Sequence, residues 1–138
     1  PLVATNVYKI DEYKILIEKI VNKFNNNTIY YFPHPKEKLK FLKKELKVKL
    51  NVVKSELNFE LYLISKNFLP KIVIGINSTA LITLRKIFLN KIKLINYNLV
   101  IKKKNMSKTN LNITSPKFLK TSKYLKEFMK IKTININL

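Results

Sequence analysis

Two repeat patterns of apolar side chains divide the chain into predicted helices and strands. Across residues 11–24 the apolar positions recur every three or four residues, which predicts an amphipathic helix with Asp11 near its N-cap. Short runs rich in β-branched, aromatic or aliphatic residues predict strands. These runs are residues 28–32, 50–53, 72–76 and 93–97, with 99–101 as a continuation of the last strand or an edge strand.

Further helices are predicted between these strands. Asn58 is placed to cap a helix that ends near Lys66, and residues 80–84 follow the strand 72–76 as a second helix. Residues 36–46 carry leucines on one side and predict a short amphipathic helix, whereas the polar residues 102–114 predict a loop. Alternating strands and helices indicate an α/β fold with a mainly parallel sheet and helices on both faces.

The C-terminal segment predicts a last helix that begins at Ser115 and Pro116, as N-cap and first helical residue. Lysines surround one apolar face, which comprises Phe118, Leu125, Phe128 and Met129. This helix either packs on the domain with solvated lysines or contacts an anionic membrane surface. We therefore expect one domain over residues 1–114, and a basic amphipathic helix and tail over 115–138.

Length and composition indicate a globular domain. The 138 residues suffice for a sizeable core, and the apolar content is 46%. No uncharged apolar run is long enough to predict a membrane span, and no secretory signal opens the chain. Pro1 in place of an initiator methionine is expected of a fragment. With no cysteine, one histidine and eight carboxylates, disulfides, thiol chemistry and structural zinc are not expected.

A net charge of +20 indicates an anionic partner. Nucleic acid is not the favoured one, because Arg85 is the only arginine among 28 basic residues and guanidinium groups dominate base and phosphate recognition. The lysines accompany many asparagines and isoleucines, as in residues 25–27 and 134–137, which is typical of a low-GC coding bias. Anionic lipid or an acidic small ligand fits the same charge.

The single histidine, His34, stands between Pro33 and Pro35, directly after the predicted buried strand 28–32. Because both prolines fix φ, we expect the imidazole on a stiff loop at the carboxyl end of that strand. Ligands of open α/β sheets bind at this end of the strands. The alternative interpretation is an ordinary loop residue.

Ser78 and Thr79 begin a helix directly after the strand 72–76. The unpaired N–H groups of a helix start, its dipole and two hydroxyls would together bind an anion, most naturally phosphate. Gly75, the only glycine, would let a ligand approach the backbone closely. Alternatively, Ser78 and Thr79 are ordinary helix caps.

These two features predict one site when they are combined. In a parallel sheet His34, Ser78 and Thr79 emerge at the same edge, so one bound phosphate could take hydrogen bonds from all three. An imidazole has an ordinary pKa of about 6.5, which suits protonation of a departing phosphate near neutral pH. Lys36 would add positive charge. The pattern predicts group transfer with a phosphate leaving group and no metal ion.

Two segments carry a resemblance to a known family. Phe-Pro-His-Pro-Lys-Glu at residues 32–37 resembles the histidine-proline motif of bacterial sialyltransferases. Gly-Ile-Asn-Ser-Thr-Ala-Leu at residues 75–81 resembles their serine-serine/threonine motif. The spacing and the order of strands and helices are similar to glycosyltransferase family 52, the lipooligosaccharide sialyltransferases, over most of residues 1–100.

The resemblance implies a bacterial two-domain GT-B enzyme, of which this chain is the C-terminal, Rossmann-like, nucleotide-binding half. It implies transfer of sialic acid from CMP-sialic acid to a lipooligosaccharide or capsular glycan hydroxyl, with inversion and without a metal ion or other cofactor. Some relatives transfer other sugars, such as glucose. By resemblance His34 is the catalytic acid toward the CMP phosphate. The implied substrate-binding residues are Pro35, Lys36, Glu37, Gly75, Asn77, Ser78 and Thr79.

The family's general base, a carboxylate in an acidic motif, has no clear counterpart in this sequence. Asp11 is the nearest catalytic candidate, but Asp11 and Glu12 lack a following glycine and suit a helix start. The base would then lie in a missing N-terminal domain, or the protein is degenerate. This chain alone is expected to have little or no activity.

These observations define the expected partners and location. The partners are a nucleotide-sugar donor and a glycan acceptor, with peripheral contact to an anionic membrane and a homodimer left open. The location is the cytoplasm or the inner face of the cytoplasmic membrane. Two alternatives stay open: a non-catalytic basic module that binds nucleic acid or anionic membrane, and a structural α/β domain.

Overall fold

The computed structural model describes residues 10–34, 50–100 and 116–137. The chain divides into two compact units, residues 1–55 and 56–138. Across the described residues four helices and five strands follow one another, and every strand pair is parallel. The predicted α/β class and the parallel strands are therefore confirmed. The Rossmann-like sheet of a GT-B domain, with helices on both faces, stays a prediction.

The first unit contains helix α1 (Ile10–Lys23) and strands β1 (Tyr30–Tyr31) and β2 (Asn51–Val52), which pair with each other. The hydroxyls of Tyr13 and Tyr31 lie 2.8 Å apart and connect α1 to β1. The apolar stripe of α1 is buried, as its period predicts, through Tyr13, Leu16, Ile17, Ile20 and Val21.

Strand β1 is shorter and more exposed than the predicted buried strand over residues 28–32. Tyr30 keeps 53% of its surface accessible, and Tyr31 is half-buried. The prediction of a buried strand was wrong because β-branched and aromatic residues indicate a pleated, partly buried surface rather than full burial.

The described residues of the second unit form six elements: α2 (Phe59–Ser65), β3 (Ile72–Ile76), α3 (Ala80–Phe88), β4 (Lys93–Val100), α4 (Pro116–Glu127) and β5 (Lys132–Asn137). Its parallel sheet has the order β3-β4-β5. Val73 lies opposite Leu94, Gly75 opposite Asn96, and Asn98 opposite Asn135.

The core of the second unit joins its three helices to the sheet. Val73 and Leu94 are neighbours on one sheet face, and both belong to this core. The other members come from all three helices and from the segments that enter β4 and β5: Leu63, Leu81, Leu84, Ile92, Leu125 and Ile131. This packing holds α3 against β3 and so determines where the turn between them lies.

Two small sheets among the described strands replace the single sheet that the alternation predicts. Alternation along the chain does not specify which strands become neighbours. Strand β4 is continuous through residues 93–100, which settles the open choice between a continuation and a separate edge strand. Strand β5 replaces part of the expected tail, because its pairing with β4 joins segments that are distant along the chain.

The last helix differs in part from its predicted apolar face. Leu125 is fully buried and Met129 half-buried, but Phe128 keeps 70% of its surface accessible. Phe128 lies beyond the end of α4, where its ring stacks on Tyr124 with centroids 5.3 Å apart. The helical period no longer applies there, so the predicted position of Phe128 was wrong.

Several predictions fall outside the described residues. They are the helix over residues 36–46, the loop over 102–114, the cap Ser115 and the domain boundary between 114 and 115. In the described part of the chain, no helix combines the length and the apolar content needed to cross a membrane.

Candidate functional site

The chain leaves β3 at Ile76 and enters α3 at Ala80 through the turn formed by Asn77, Ser78 and Thr79. Asn77 has a φ of 46°, in the left-handed region that asparagine tolerates better than most residues. This turn lies at the carboxyl end of the parallel strands, the edge at which α/β sheets bind ligands. The predicted strand–turn–helix unit is therefore confirmed.

Gly75 is required by the packing of this turn. A Cβ at Gly75 would lie 3.0 Å from Leu81 Cγ, Leu81 Cδ1 and Ser78 Cβ. The start of α3 can approach β3 this closely only because residue 75 has no side chain. This packing reason for glycine is not visible in the sequence, and a role of Gly75 beside a ligand stays a prediction.

The Thr79 hydroxyl does not cap α3. Thr79 occupies the N-cap position with helical backbone angles, φ −65° and ψ −21°, and its side chain makes no cap hydrogen bond. Asn58, in contrast, caps α2 as predicted, since its Oδ1 accepts from Leu61 N at 2.9 Å. Ser78 is half-buried and Thr79 is exposed.

A pair of hydrogen bonds fastens this turn to the central strand. The backbone N–H of Asn77 donates to Asn96 Oδ1 at 2.8 Å, and Asn96 Nδ2 donates back to Asn77 Oδ1 at 3.2 Å. Asn96 is fully buried, so these bonds satisfy an amide that water cannot reach. Asn96 thereby holds Asn77, and with it Ser78 and Thr79, at the sheet edge.

The amides continue across the sheet edge as an asparagine row, which consists of Asn96, Asn77, Asn98 and Asn135. Asn77 Nδ2 donates to Asn98 Oδ1 at 3.0 Å, and Asn98 Nδ2 donates to Asn135 Oδ1 at 3.1 Å. The row passes from the fully buried Asn96 to the exposed Asn135. It therefore connects the interior of the sheet to solvent at its carboxyl end.

The sequence did not predict Asn96, Asn98 or Asn135 as site residues. The asparagines of residues 134–137 are typical of the coding bias described above. The alternation of apolar and polar residues over 95–98 and 133–136 was the available signal, since period two is typical of a strand with one polar face.

Tyr97 lies between Asn96 and Asn98, but its side chain belongs to the other face of the strand. It is almost fully buried, and its hydroxyl has no hydrogen-bond partner among the described residues. Burial raises the pKa of Tyr97 above the ordinary value, because the charged phenolate would lose its hydration.

The predicted site residues of the first unit lie on α1 and after β1. His34 is exposed and follows Tyr31 by three residues, as its position after the strand predicts. Asp11 is exposed in the first turn of α1, where a carboxylate complements the helix dipole. Pro35, Lys36 and Glu37 lie outside the described residues.

The structure brings Gly75, Asn77, Ser78 and Thr79 together at the carboxyl end of β3. His34 belongs to the other unit, and β1 is not part of the sheet that contains β3. The expectation that these side chains lie close together was based on one common sheet, which the described strands do not form. Binding of one phosphate by His34, Ser78 and Thr79 together stays a prediction.

The edge of the second unit offers neutral hydrogen-bonding groups. Hydroxyls at Ser78 and Thr79 and amides at Asn77, Asn98 and Asn135 can donate to phosphate, carbonyl or sugar oxygens. Over residues 10–34, 50–100 and 116–137, no group of three or more His, Cys, Asp or Glu side chains is placed to hold a metal ion.

A family model described as Glycosyltransferase family 52 matches residues 1–99, which include the segments around His34 and around Ser78 and Thr79. No curated protein and no solved structure matches the chain.

Proposed function

The chain belongs to glycosyltransferase family 52, and from this membership we propose that it binds the nucleotide of CMP-sialic acid. The reaction it serves is transfer of sialic acid to a hydroxyl of a lipooligosaccharide or capsular glycan. Family membership supports glycosyl transfer in general. The choice of donor follows from the resemblance of residues 32–37 and 75–81 to sialyltransferase motifs.

One observation supports the phosphate site most directly: the Thr79 hydroxyl at the start of α3 is not used for helix capping. The helix start adds a positive dipole end, and Ser78 adds a second hydroxyl. A phosphate is the ligand group that these donors fit best. Asn77 and Asn96 hold the donors in place before the ligand arrives.

The proposed chemistry breaks the bond between the anomeric carbon of sialic acid and a phosphate oxygen of CMP. The acceptor hydroxyl oxygen forms the new bond on the opposite face, so the configuration inverts. Ser78 and Thr79 stabilise the charge of the departing phosphate oxygen, and its protonation is the role that the resemblance implies for His34. A general base takes the acceptor proton. No cofactor takes part in these steps.

The charge of the chain supports a location for this reaction. A net charge of +20 attracts the chain to an anionic lipid surface, with each lysine near the surface contributing about 1 kcal/mol. A glycan acceptor carried on lipid would be presented at such a surface. The proposed location is therefore the inner face of the cytoplasmic membrane.

Titration of the 138-residue chain with CMP tests the proposal by calorimetry. We expect binding that His34→Ala weakens by about tenfold to a hundredfold, since a hydrogen bond to a charged phosphate is lost. Ser78→Ala and Thr79→Ala should weaken it as well. Asn26→Ala, which changes an exposed asparagine of the first unit, should leave it unaltered.

A second titration separates the enzyme from a basic module. A DNA oligomer at rising salt should show weak binding that is unaffected by His34→Ala. If the chain does not bind CMP but binds DNA with a steep salt dependence, the enzyme proposal is overturned in favour of the basic module. UMP serves as the comparison ligand for donor choice, and we expect CMP to bind more tightly.

A further inference from the structure

We propose that Asn135, the exposed end of the asparagine row, donates a hydrogen bond to an uncharged oxygen of the bound nucleotide, on its ribose or its base. This inference rests on the proposed function, because it extends the same site from β3 to β5. The asparagine row would then contact the ligand as well as position the turn after β3. Residue 135 lies beyond the segment that matches the family model, so family membership does not assign it a role.

The direction of the row follows from one backbone group. A backbone N–H can only donate, so the group of Asn96 that faces Asn77 N must be the oxygen. Asn96 Nδ2 then donates to Asn77 Oδ1, which leaves Asn77 Nδ2 to donate to Asn98 Oδ1. Asn98 Nδ2 in turn donates to Asn135 Oδ1. Each amide is oriented by the one before it.

The end of the row is therefore a hydrogen-bond donor. Asn135 Oδ1 is engaged by Asn98, while Asn135 Nδ2 has no acceptor among the described residues and the side chain is exposed. Amides linked in one direction polarise each other, which strengthens the last donor. The ligand group that matches it is an acceptor oxygen.

The position of Asn135 suits the far end of a nucleotide. Strand β5 lies two strands from β3, and neighbouring strands are about 4.8 Å apart, so the row spans about 10 Å from the turn after β3. A nucleoside monophosphate carries its phosphate at one end and its base at the other. With the phosphate at Ser78 and Thr79, ribose or base would extend along the sheet edge toward Asn135.

Two substitutions at residue 135 separate a ligand contact from a structural role. Asn135→Asp keeps an oxygen that accepts from Asn98 Nδ2, so the bond within the row persists, but the outward donor becomes an acceptor. Asn135→Ala removes both the oxygen that accepts from Asn98 Nδ2 and the outward donor. A purely structural role would tolerate aspartate better than alanine, whereas a ligand contact would not.

We expect Asn135→Ala to weaken CMP binding by about threefold to tenfold, the effect of one lost hydrogen bond, and Asn135→Asp to weaken it at least as much. Asn26→Ala and Asn26→Asp are matched controls in the first unit, and the second corrects for the change in net charge. In a ¹⁵N NMR titration of the full chain, the side-chain NH₂ signals of Asn135 should shift as CMP is added.

The pattern of results decides between the possible outcomes. Weaker binding of CMP but unchanged binding of ribose 5-phosphate supports a contact to the base, and equal losses support a contact to the ribose. If both Asn135 variants bind CMP like the wild type while Ser78→Ala weakens it, this inference is overturned and the proposed function stands. If the wild type binds no CMP, both are overturned.

Discussion

Asn77, in the turn after β3, and Asn96, in β4, exchange two hydrogen bonds: Asn77 N–H donates to Asn96 Oδ1 at 2.8 Å, and Asn96 Nδ2 donates to Asn77 Oδ1 at 3.2 Å. Asn77 is the left-handed residue of the turn, and Asn96 is fully buried in the central strand. The geometry of the turn therefore depends on a residue that is distant along the chain.

Replacing Asn96 by alanine should lower the free energy of unfolding by about 1–3 kcal/mol, because the N–H of the half-buried Asn77 loses its acceptor. Urea denaturation followed by circular dichroism measures this change. Asn26→Ala should change the stability by less than about 0.5 kcal/mol. Equal stabilities for the two variants would show that the reciprocal pair contributes nothing.

Gly75→Ala should destabilise the fold by about 1–3 kcal/mol, since its Cβ would lie 3.0 Å from Leu81 and Ser78. Leu81→Ala, which empties part of that space, should itself cost about 2–5 kcal/mol. The double variant should cost less than the sum of the two, because the smaller side chain relieves the crowding. Additive costs in denaturation experiments would contradict the packing explanation.

The two helix starts should respond differently to alanine. Asn58→Ala removes a cap hydrogen bond to Leu61 N and should cost about 1 kcal/mol. Thr79→Ala removes no cap bond and should change stability by less than about 0.5 kcal/mol while weakening CMP binding. Thermal melts and CMP titrations of both variants measure the contrast. A Thr79→Ala variant that loses stability but not CMP affinity would identify Thr79 as a structural residue.

Tyr97 should make the stability fall at alkaline pH. Burial raises its pKa above the ordinary 10.0, so below pH 10 the phenol is neutral in both states and has no pH effect. As pH rises above 10 the unfolded chain releases this proton first, so stability declines by at most about 1.4 kcal/mol per pH unit until the folded pKa is reached.

Tyr97→Phe should lack this decline, and at neutral pH it should be as stable as the wild type or more stable by about 1 kcal/mol, since an unpaired buried hydroxyl is removed. Urea denaturation at several alkaline pH values compares the stabilities of the two proteins. Both contain the same lysines, so the contribution of the lysines to the pH dependence cancels in the difference. Tyr124→Phe, a change at an exposed ring, is the control. Parallel pH curves for wild type and Tyr97→Phe would refute the expectation.

Local patterns were enough to predict most of the elements. The helical period of residues 11–24 identified α1 to within one residue at each end, and the cap at Asn58 identified α2. The strand 72–76 and the turn through Asn77, Ser78 and Thr79 followed from an apolar run that ends at polar residues. These features depend on neighbours in the sequence, which a single chain displays directly.

Strand pairing and side-chain convergence could not be predicted in the same way. Residues 132–137 have a strand pattern, but only their pairing with β4 shows that Asn135 continues the row from Asn98. Gly75 suggested close approach of a ligand, whereas the structure shows close approach of Leu81. Both depend on which distant segments pack together.

The sequence alone determined the α/β class, the helix and strand periods and the two motifs that indicated the family, because these are properties of short stretches of chain. The tertiary structure decided that the described strands form two sheets, that Asn96 anchors the turn beside Ser78 and Thr79, and that the asparagine row ends in an exposed donor. The physical reason is that hydrogen bonds between strands and contacts in a core join residues far apart in sequence, and a local pattern does not specify their partners.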